Sequence, residues 1–339
     1  MQMKNKLYEI EYIRIICAVG IILYHIACES ACIWKPLHEY KNGDWGDVLV
    51  TIFFTVSGGV IYINNSSNMS LKKYYAKRFK SIYPMFYLCF LPLFLLNAIK
   101  KGSFFYKGDP FLIILSILGI DGYFKYAADN YYIIGEWFLV AIIIIYLAYP
   151  VMLYFFKRNS SLYLICIALC FIGLNLYDIF MIESFRNIIS CMLSFSFGMI
   201  MFSKQDLIKS PAIICISVLI ASALQIIILP SPIHGNISSH LLGLCLFIIL
   251  FNFSSILSKY LPTPKAISFL GSLTYPVFLI QHRIINTVLR IFDYTNVVEH
   301  IIVSFLIIIL CFSVSLILKR ICLFLLNSRT YRDLESLFN

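Results

Sequence analysis

The stretch EYIRIICAVGIILYHIAC, residues 11–28, is long and apolar enough to cross a bilayer, yet it carries Arg14 and His25. Both are costly side chains to place in hydrocarbon, so one apolar helix holding the pair demands a reason. The rest of the chain makes the membrane reading general. Of 339 residues, 60% are hydrophobic and 13% charged, with a mean hydropathy of +0.86, a composition that water-soluble domains do not carry. No polar block is long enough to fold alone, so a single integral-membrane domain over residues 1–339 is expected.

Apolar runs place about ten transmembrane helices, near residues 8–28, 46–63, 82–99, 133–156, 161–179, 187–202, 211–229, 240–257, 266–285 and 299–318. The fold class is therefore an all-α, polytopic membrane helix bundle. Residues 111–120 are too short to cross and read as an interfacial or re-entrant element. Lys and Arg outnumber Asp and Glu by 27 to 17. In alternate loops lie Lys4 and Lys6; Lys72, Lys73, Lys77, Arg78 and Lys80; Lys157 and Arg158; Lys204 and Lys209; Lys259 and Lys265; and Lys319 with Arg320. By the positive-inside rule both termini are then cytoplasmic, and the surplus charge marks lipid-facing loops rather than a nucleic-acid surface. Lys100, Lys101 and Lys107 fall on the other side. Most of the 11 cysteines sit inside apolar runs without CxxC spacing, so no metal site or disulfide framework is indicated. Cys28 and Cys32 are near enough to meet, but a bridge is not expected. The first apolar run is interrupted by Arg14 and lacks a small-x-small cleavage site, so it is expected to remain rather than act as a removable signal.

Eleven residues separate Arg14 from His25. In a helix that step returns to within about 20° of the same azimuth after a rise of about 16 Å. Each residue alone reads equally well as an edge residue, Arg14 snorkelling inward and His25 sitting among headgroups. Two on one face favour function. Ser57, Gly58 and Gly59 interrupt the second span, where small residues let a helix or a ligand approach the backbone. Lys77, Arg78 and Lys80 precede Tyr83 and Pro84; taken alone they anchor cytoplasmic headgroups, and they equally suit the phosphates of a cofactor. His282 lies near the outer end expected for the ninth span, at the depth of His25.

These residues together resemble integral-membrane acyltransferase family three. Its Arg, ten residues, His motif is similar to Arg14 and His25, and its FF-x-x-SG stretch to Phe53–Val60. Its R-x-x-R-[IL]-YP motif resembles Arg78–Pro84, with Ser81 where a second Arg is expected and Lys80 beside it; Gly59 stands where a bulky residue is usual. Its WFL segment resembles Trp137–Leu139, with YLAYP following, and its S-Y-x-x-YL-x-H ending resembles Ser272–His282.

The resemblance implies an O-acyltransferase of the cell membrane, bacterial and multi-pass. It would move an acetyl or other short acyl group from cytoplasmic acetyl-CoA or another acyl-CoA to a hydroxyl of an extracytoplasmic or lipid-linked glycan. His25 would act as general base or acyl carrier, with Arg14 and His282 beside it as catalytic residues. Arg78, Lys77, Lys80 and Ser57 would serve the cofactor, with no metal. Glu136 is a candidate partner for an intramembrane cation, outside the resemblance. The competing class is a multi-pass transporter or flippase of a glycan precursor, which would also bury Arg, Glu and His; no paired broken helices in two halves support it.

Overall fold

The computed structural model describes residues 7–30, 35–67, 69–107, 109–125, 127–177, 182–230, 235–260, 264–292 and 296–327. Its elements run α1 (Tyr8–Glu29), α2 (Lys35–His38), β1 (Glu39–Tyr40), β2 (Gly43–Asp44), α3 (Trp45–Asn65), α4 (Leu71–Lys101), α5 (Ile113–Leu118), α6 (Asp121–Phe124), α7 (Glu136–Arg158), α8 (Ser160–Leu176), α9 (Ile188–Ser203), α10 (Gln205–Ile208), α11 (Pro211–Ile226), α12 (Asn236–Tyr260), α13 (Pro264–Gly271), α14 (Thr274–Ile291) and α15 (Val297–Leu326). Among the described residues the protein is all-α apart from one antiparallel hairpin of two-residue strands, in which Glu39 pairs with Asp44 and Tyr40 with Gly43.

Among the described residues, six helices are long and apolar enough to cross a membrane: α1, α3, α4, Trp137–Arg158 of α7, α12 and α15. Three shorter apolar helices, α8, α9 and α11, occupy positions where spans were expected. Two expectations are corrected. The basic run before Tyr83 is not a loop, because α4 starts at Leu71 and carries Lys72 to Lys80 in its first turns. The stretch 266–285 is not one continuous helix: α13 ends at Gly271 and α14 begins at Thr274. Thr274 donates its hydroxyl to the carbonyl of Gly271 across that break, 2.8 Å away. The residues outside those described include Lys4, Lys6, Cys32 and part of the turn-rich connection at 230–239.

Two compact units divide the chain, residues 1–69 with 144–274 and residues 70–143 with 275–339. In the first, α1, α3, α9 and α12 pack around Ile13, Cys17, Val48, Ile52, Val56, Phe202, Phe247 and Phe251. The glycines of the second expected span make this packing possible. A Cβ on Gly58 would strike the carbonyl of Phe195, and one on Gly198 would strike the carbonyl of Thr55, so α3 and α9 meet backbone to backbone. Without hydrophobic attraction between helices in lipid, such close van der Waals contact is what holds two helices together. Ser57 sits in this packed helix, partly buried.

A buried polar knot ties α8, α9 and α12. The His240 ring is 3% exposed and lies between the rings of Phe171 and Phe185, at 4.9 and 5.1 Å. Its nitrogens face the carbonyls of Asn236 and Ser190 at 2.9 and 3.2 Å.

In the second unit α4 carries a stacked aromatic ladder, Phe86, Phe90 and Phe94, with centroids 5.5 and 5.7 Å apart. The phenols of Tyr83 and Tyr87 donate to the carbonyls of Leu118 and Ile117, both at 2.9 Å, and so dock α5 on α4. The short piece at 110–124 is therefore bound to its own unit by side chains of the Tyr-Pro motif.

Candidate active site

Helix α1 is unbroken from Tyr8 to Glu29, so the shared face of Arg14 and His25 survives folding. Arg14 lies two turns in from the start of α1, its side chain 29% exposed, with Nη1 3.5 Å from Glu11 Oε1. Glu11 itself is buried.

His25 lies near the other end of α1, and a group of aromatic and acidic residues gathers there. The Tyr24 ring meets His25 edge-on at 5.3 Å and stacks on His38 at 5.4 Å. His38 Nδ1 is 3.9 Å from Asp44 Oδ1. Tyr24 lies flat on α3 because Gly46 has no side chain: a Cβ there would come within 2.7 Å of Tyr24 Cζ. Burial pushes the Asp44 carboxyl above its ordinary value; the neighbouring His38 opposes the shift, and Glu39 and Glu183 add to it. Lys35, Glu39, Tyr40, Lys41 and Asp44 line a cleft of about 480 Å³ beside this group.

The hairpin that carries Asp44 is fixed by Asn42, which is fully buried. Its side-chain amide donates to the carbonyls of Leu224 and Ile227, both at 2.7 Å. Its side-chain oxygen accepts from the amide of Leu229 at 2.8 Å. Its backbone carbonyl accepts from Gly235 N and Ser238 Oγ at 2.7 and 2.6 Å. A short polar connection is thereby tied to α11 and α12 with its amide and carbonyls satisfied, which holds Asp44 beside His38, the residue that stacks on Tyr24. Sequence reasoning missed His38, Asn42 and Asp44. The only available signal was a turn-forming Asn-Gly pair between two longer helices.

The second unit holds the remaining expected residues. Arg78 is half-buried with its guanidinium 5.9 Å from the centre of the Tyr74 ring, whereas Lys77 and Lys80 are exposed. At about 100° per residue, Lys73, Lys77 and Lys80 form one stripe and Arg78 stands apart from it. The basic cluster is thus an exposed lysine face and a separate arginine resting on an aromatic ring.

His282 corrects its expected position. With α14 starting at Thr274, His282 falls at the middle of that helix and is partly buried, not at the end of a continuous span. The motif segments of this unit do come together. The Tyr275 phenol donates to the carbonyl of Ile82 at 3.1 Å, joining α14 to the Tyr-Pro segment of α4. The rings of Phe278 and Phe138 meet at 5.0 Å, joining α14 to the Trp-Phe-Leu segment of α7. Nothing is described of the Glu136 side chain.

Asp121 is a buried carboxyl that the sequence reading did not single out. It is 3% exposed, accepts from Ser116 Oγ at 2.6 Å, and burial raises its pKa from 3.8 to about 6. Among the described residues, no three His, Cys, Asp or Glu side chains gather as a metal site.

Residues 7–320 match the family model Acyl_transf_3, described as an acyltransferase domain. No curated protein matches the chain, and no solved structure does.

Proposed function

The chain belongs to this acyltransferase family, whose model covers it from residue 7 to 320, and on that premise we propose that it is a membrane-embedded O-acyltransferase. It takes an acetyl or other short acyl group from cytoplasmic acyl-CoA and delivers it to a hydroxyl of an extracytoplasmic or lipid-linked glycan. The protein is a multi-pass membrane protein, here assigned to the cell membrane of a bacterium with both termini inside. The observation that carries the reading is α1, on which Arg14 and His25 share one face of an unbroken apolar helix, with Tyr24, the neighbour of His25, stacked on His38.

The reaction follows from that placement. An acceptor hydroxyl oxygen bonds to the thioester carbonyl carbon, the carbon–sulfur bond breaks, and the hydroxyl proton passes by way of the His25 imidazole to the departing CoA sulfur. Imidazole suits this work because its ordinary pKa lies near neutral pH. A covalent route uses the same residues: the imidazole nitrogen takes the acyl group with release of CoA, and the hydroxyl then takes it from the nitrogen. Arg14 and His282 are assigned to binding and charge stabilisation, and Arg78, Lys77, Lys80 and Ser57 to the donor.

Purified protein in nanodiscs, given acetyl-CoA labelled in the acetyl group and isolated surface glycan, tests the reading. Label should move to glycan as free CoA appears. His25→Ala should lower the rate about a thousandfold with folding intact, as loss of a positioned base does. Turnover by His25→Ala at more than a tenth of the wild-type rate sinks the assignment. A burst of free CoA, one per protein, on mixing with acetyl-CoA in the absence of glycan selects the covalent route.

A further inference from the structure

Arg14 does not stand on its helix without support. Glu11 precedes it by three residues, which in a helix puts the two side chains on neighbouring positions of one face, and the carboxylate lies 3.5 Å from the guanidinium. Unlike an ordinary surface pair, Glu11 is 8% exposed. It is buried because α13 ends against it at a glycine: a Cβ on Gly271 would collide with Glu11 Oε2, and would sit 3.1 Å from Glu11 Cβ. The absent side chain of Gly271 is thus the space that the Glu11 carboxylate occupies. Two sequence segments about 260 residues apart, the Arg-His helix and the start of the Ser272–His282 motif, meet at this carboxylate.

We infer that Glu11 is the positioning residue for Arg14, with Gly271 as the seat that lets it enter. Burying an acid next to an arginine in an apolar helix gains little net stability, because desolvating the two charges offsets their attraction. The arrangement does fix where the guanidinium points. Left alone, an arginine about 9 Å from a helix start swings its flexible stem toward the headgroups. Held through one nitrogen by Glu11, it stays inside the bundle with the rest of its planar fork available to an acyl donor. This inference rests on Arg14 belonging to the acyl-transfer site.

The test uses full-length protein in nanodiscs, with acetyl-CoA as donor and CoA release as readout. Glu11→Gln keeps size and loses charge; Glu11→Asp keeps charge and loses one methylene. A positioning role makes Glu11→Gln at least tenfold lower in kcat/KM for acetyl-CoA, with Glu11→Asp retaining half or more of wild-type activity. A packing role gives the reverse order, and that order overturns the inference. In an Arg14→Lys background the Glu11→Gln penalty should shrink to twofold or less, whereas an undiminished tenfold penalty also overturns it. Gly271→Ala should reproduce the Glu11→Gln defect, and unchanged melting temperatures of the Glu11 variants keep the comparison valid if Gly271→Ala does not fold. Full activity of Arg14→Gln would remove Arg14 from the site and this inference with it. An impaired Arg14→Gln beside a fully active Glu11→Gln overturns the role of Glu11 alone.

Discussion

The ring of Tyr24 lies 16° from parallel to that of His38, 5.4 Å away, and its edge faces His25. Tyr24 thereby couples the position of His25, its neighbour on α1, to that of His38, which ends α2 and lies 3.9 Å from Asp44. An aromatic pair of this kind contributes about 1 kcal/mol beyond its buried area. His38→Ala should therefore slow acyl transfer by about fivefold, while leaving the affinity for CoA within twofold of wild type by calorimetry. His38→Phe, which keeps a ring on Tyr24, should recover most of the rate. Equal losses in both variants would transfer the effect from stacking to the imidazole itself.

Asn42 holds that hairpin through three side-chain bonds. Asn42→Ala leaves the buried carbonyl of Leu224, the part-buried carbonyl of Ile227 and the amide of Leu229 without this partner, at about 1 kcal/mol each. A loss of about 3 kcal/mol is expected, read as a lower midpoint in thermal unfolding of the nanodisc-embedded protein. Activity should fall further than stability explains, since His38 and Asp44 lose their mounting. Asn42→Asp should also destabilise, because a carboxylate has no donor for the carbonyls of Leu224 and Ile227.

The parts of this protein that were legible in its sequence are those set by composition and by helical period. Apolar length located α1, α3, α12 and α15, and the 11-residue step from Arg14 to His25 needed only an unbroken helix to become a shared face. The break before Thr274 was passed over although it had a signal, since Gly271 ends α13 and Pro276 sits in the first turn of α14. That same break moved His282 to the middle of its helix. Gly58 and Gly59 read correctly as small residues that admit a close neighbour, but which neighbour depends on α9, some 140 residues on. His38, Asn42 and Asp44 were hidden because a hairpin of four strand residues leaves no periodicity to read. His240 was likewise one of several polar residues at the head of an apolar run until its ring partners were in view.

Asp121 makes stability depend on pH. Its carboxyl holds a proton up to about pH 6 in the folded protein, against 3.8 ordinarily. Between these values the folded state binds more protons than the unfolded chain, so stability falls as pH rises, by about 3 kcal/mol across the interval at about 1.4 kcal/mol per unit. Below pH 3.8 both states are protonated and this carboxyl contributes no slope. Asp121→Asn keeps an acceptor for Ser116 and cannot ionise, so its melting temperature should lose the decline that the wild type shows from pH 4 to 6. Identical pH profiles for the two proteins would show that Asp121 ionises freely in the folded state.

Arg78 and its lysine neighbours separate two explanations of the same positive charge. Arg78 rests on the Tyr74 ring, half-buried, while Lys77 and Lys80 project from the exposed stripe of α4. A phosphate of the donor held by a planar guanidinium gains a charge-assisted bond of about 1.5 kcal/mol, so Arg78→Ala should raise the KM for acetyl-CoA about tenfold and leave kcat nearly unchanged. Arg78→Lys should fall between, since the charge survives and the fork does not. Lys77→Ala and Lys80→Ala should change KM by no more than about twofold, because exposed charges are screened by salt, and raising the ionic strength should abolish what effect they have. If the basic run serves only to anchor headgroups, all four variants will instead lower the amount of inserted protein and leave the kinetics per folded molecule alone. Steady-state kinetics normalised to folded protein in nanodiscs decides between them, and an unaltered KM in Arg78→Ala would return the whole cluster to the lipid surface.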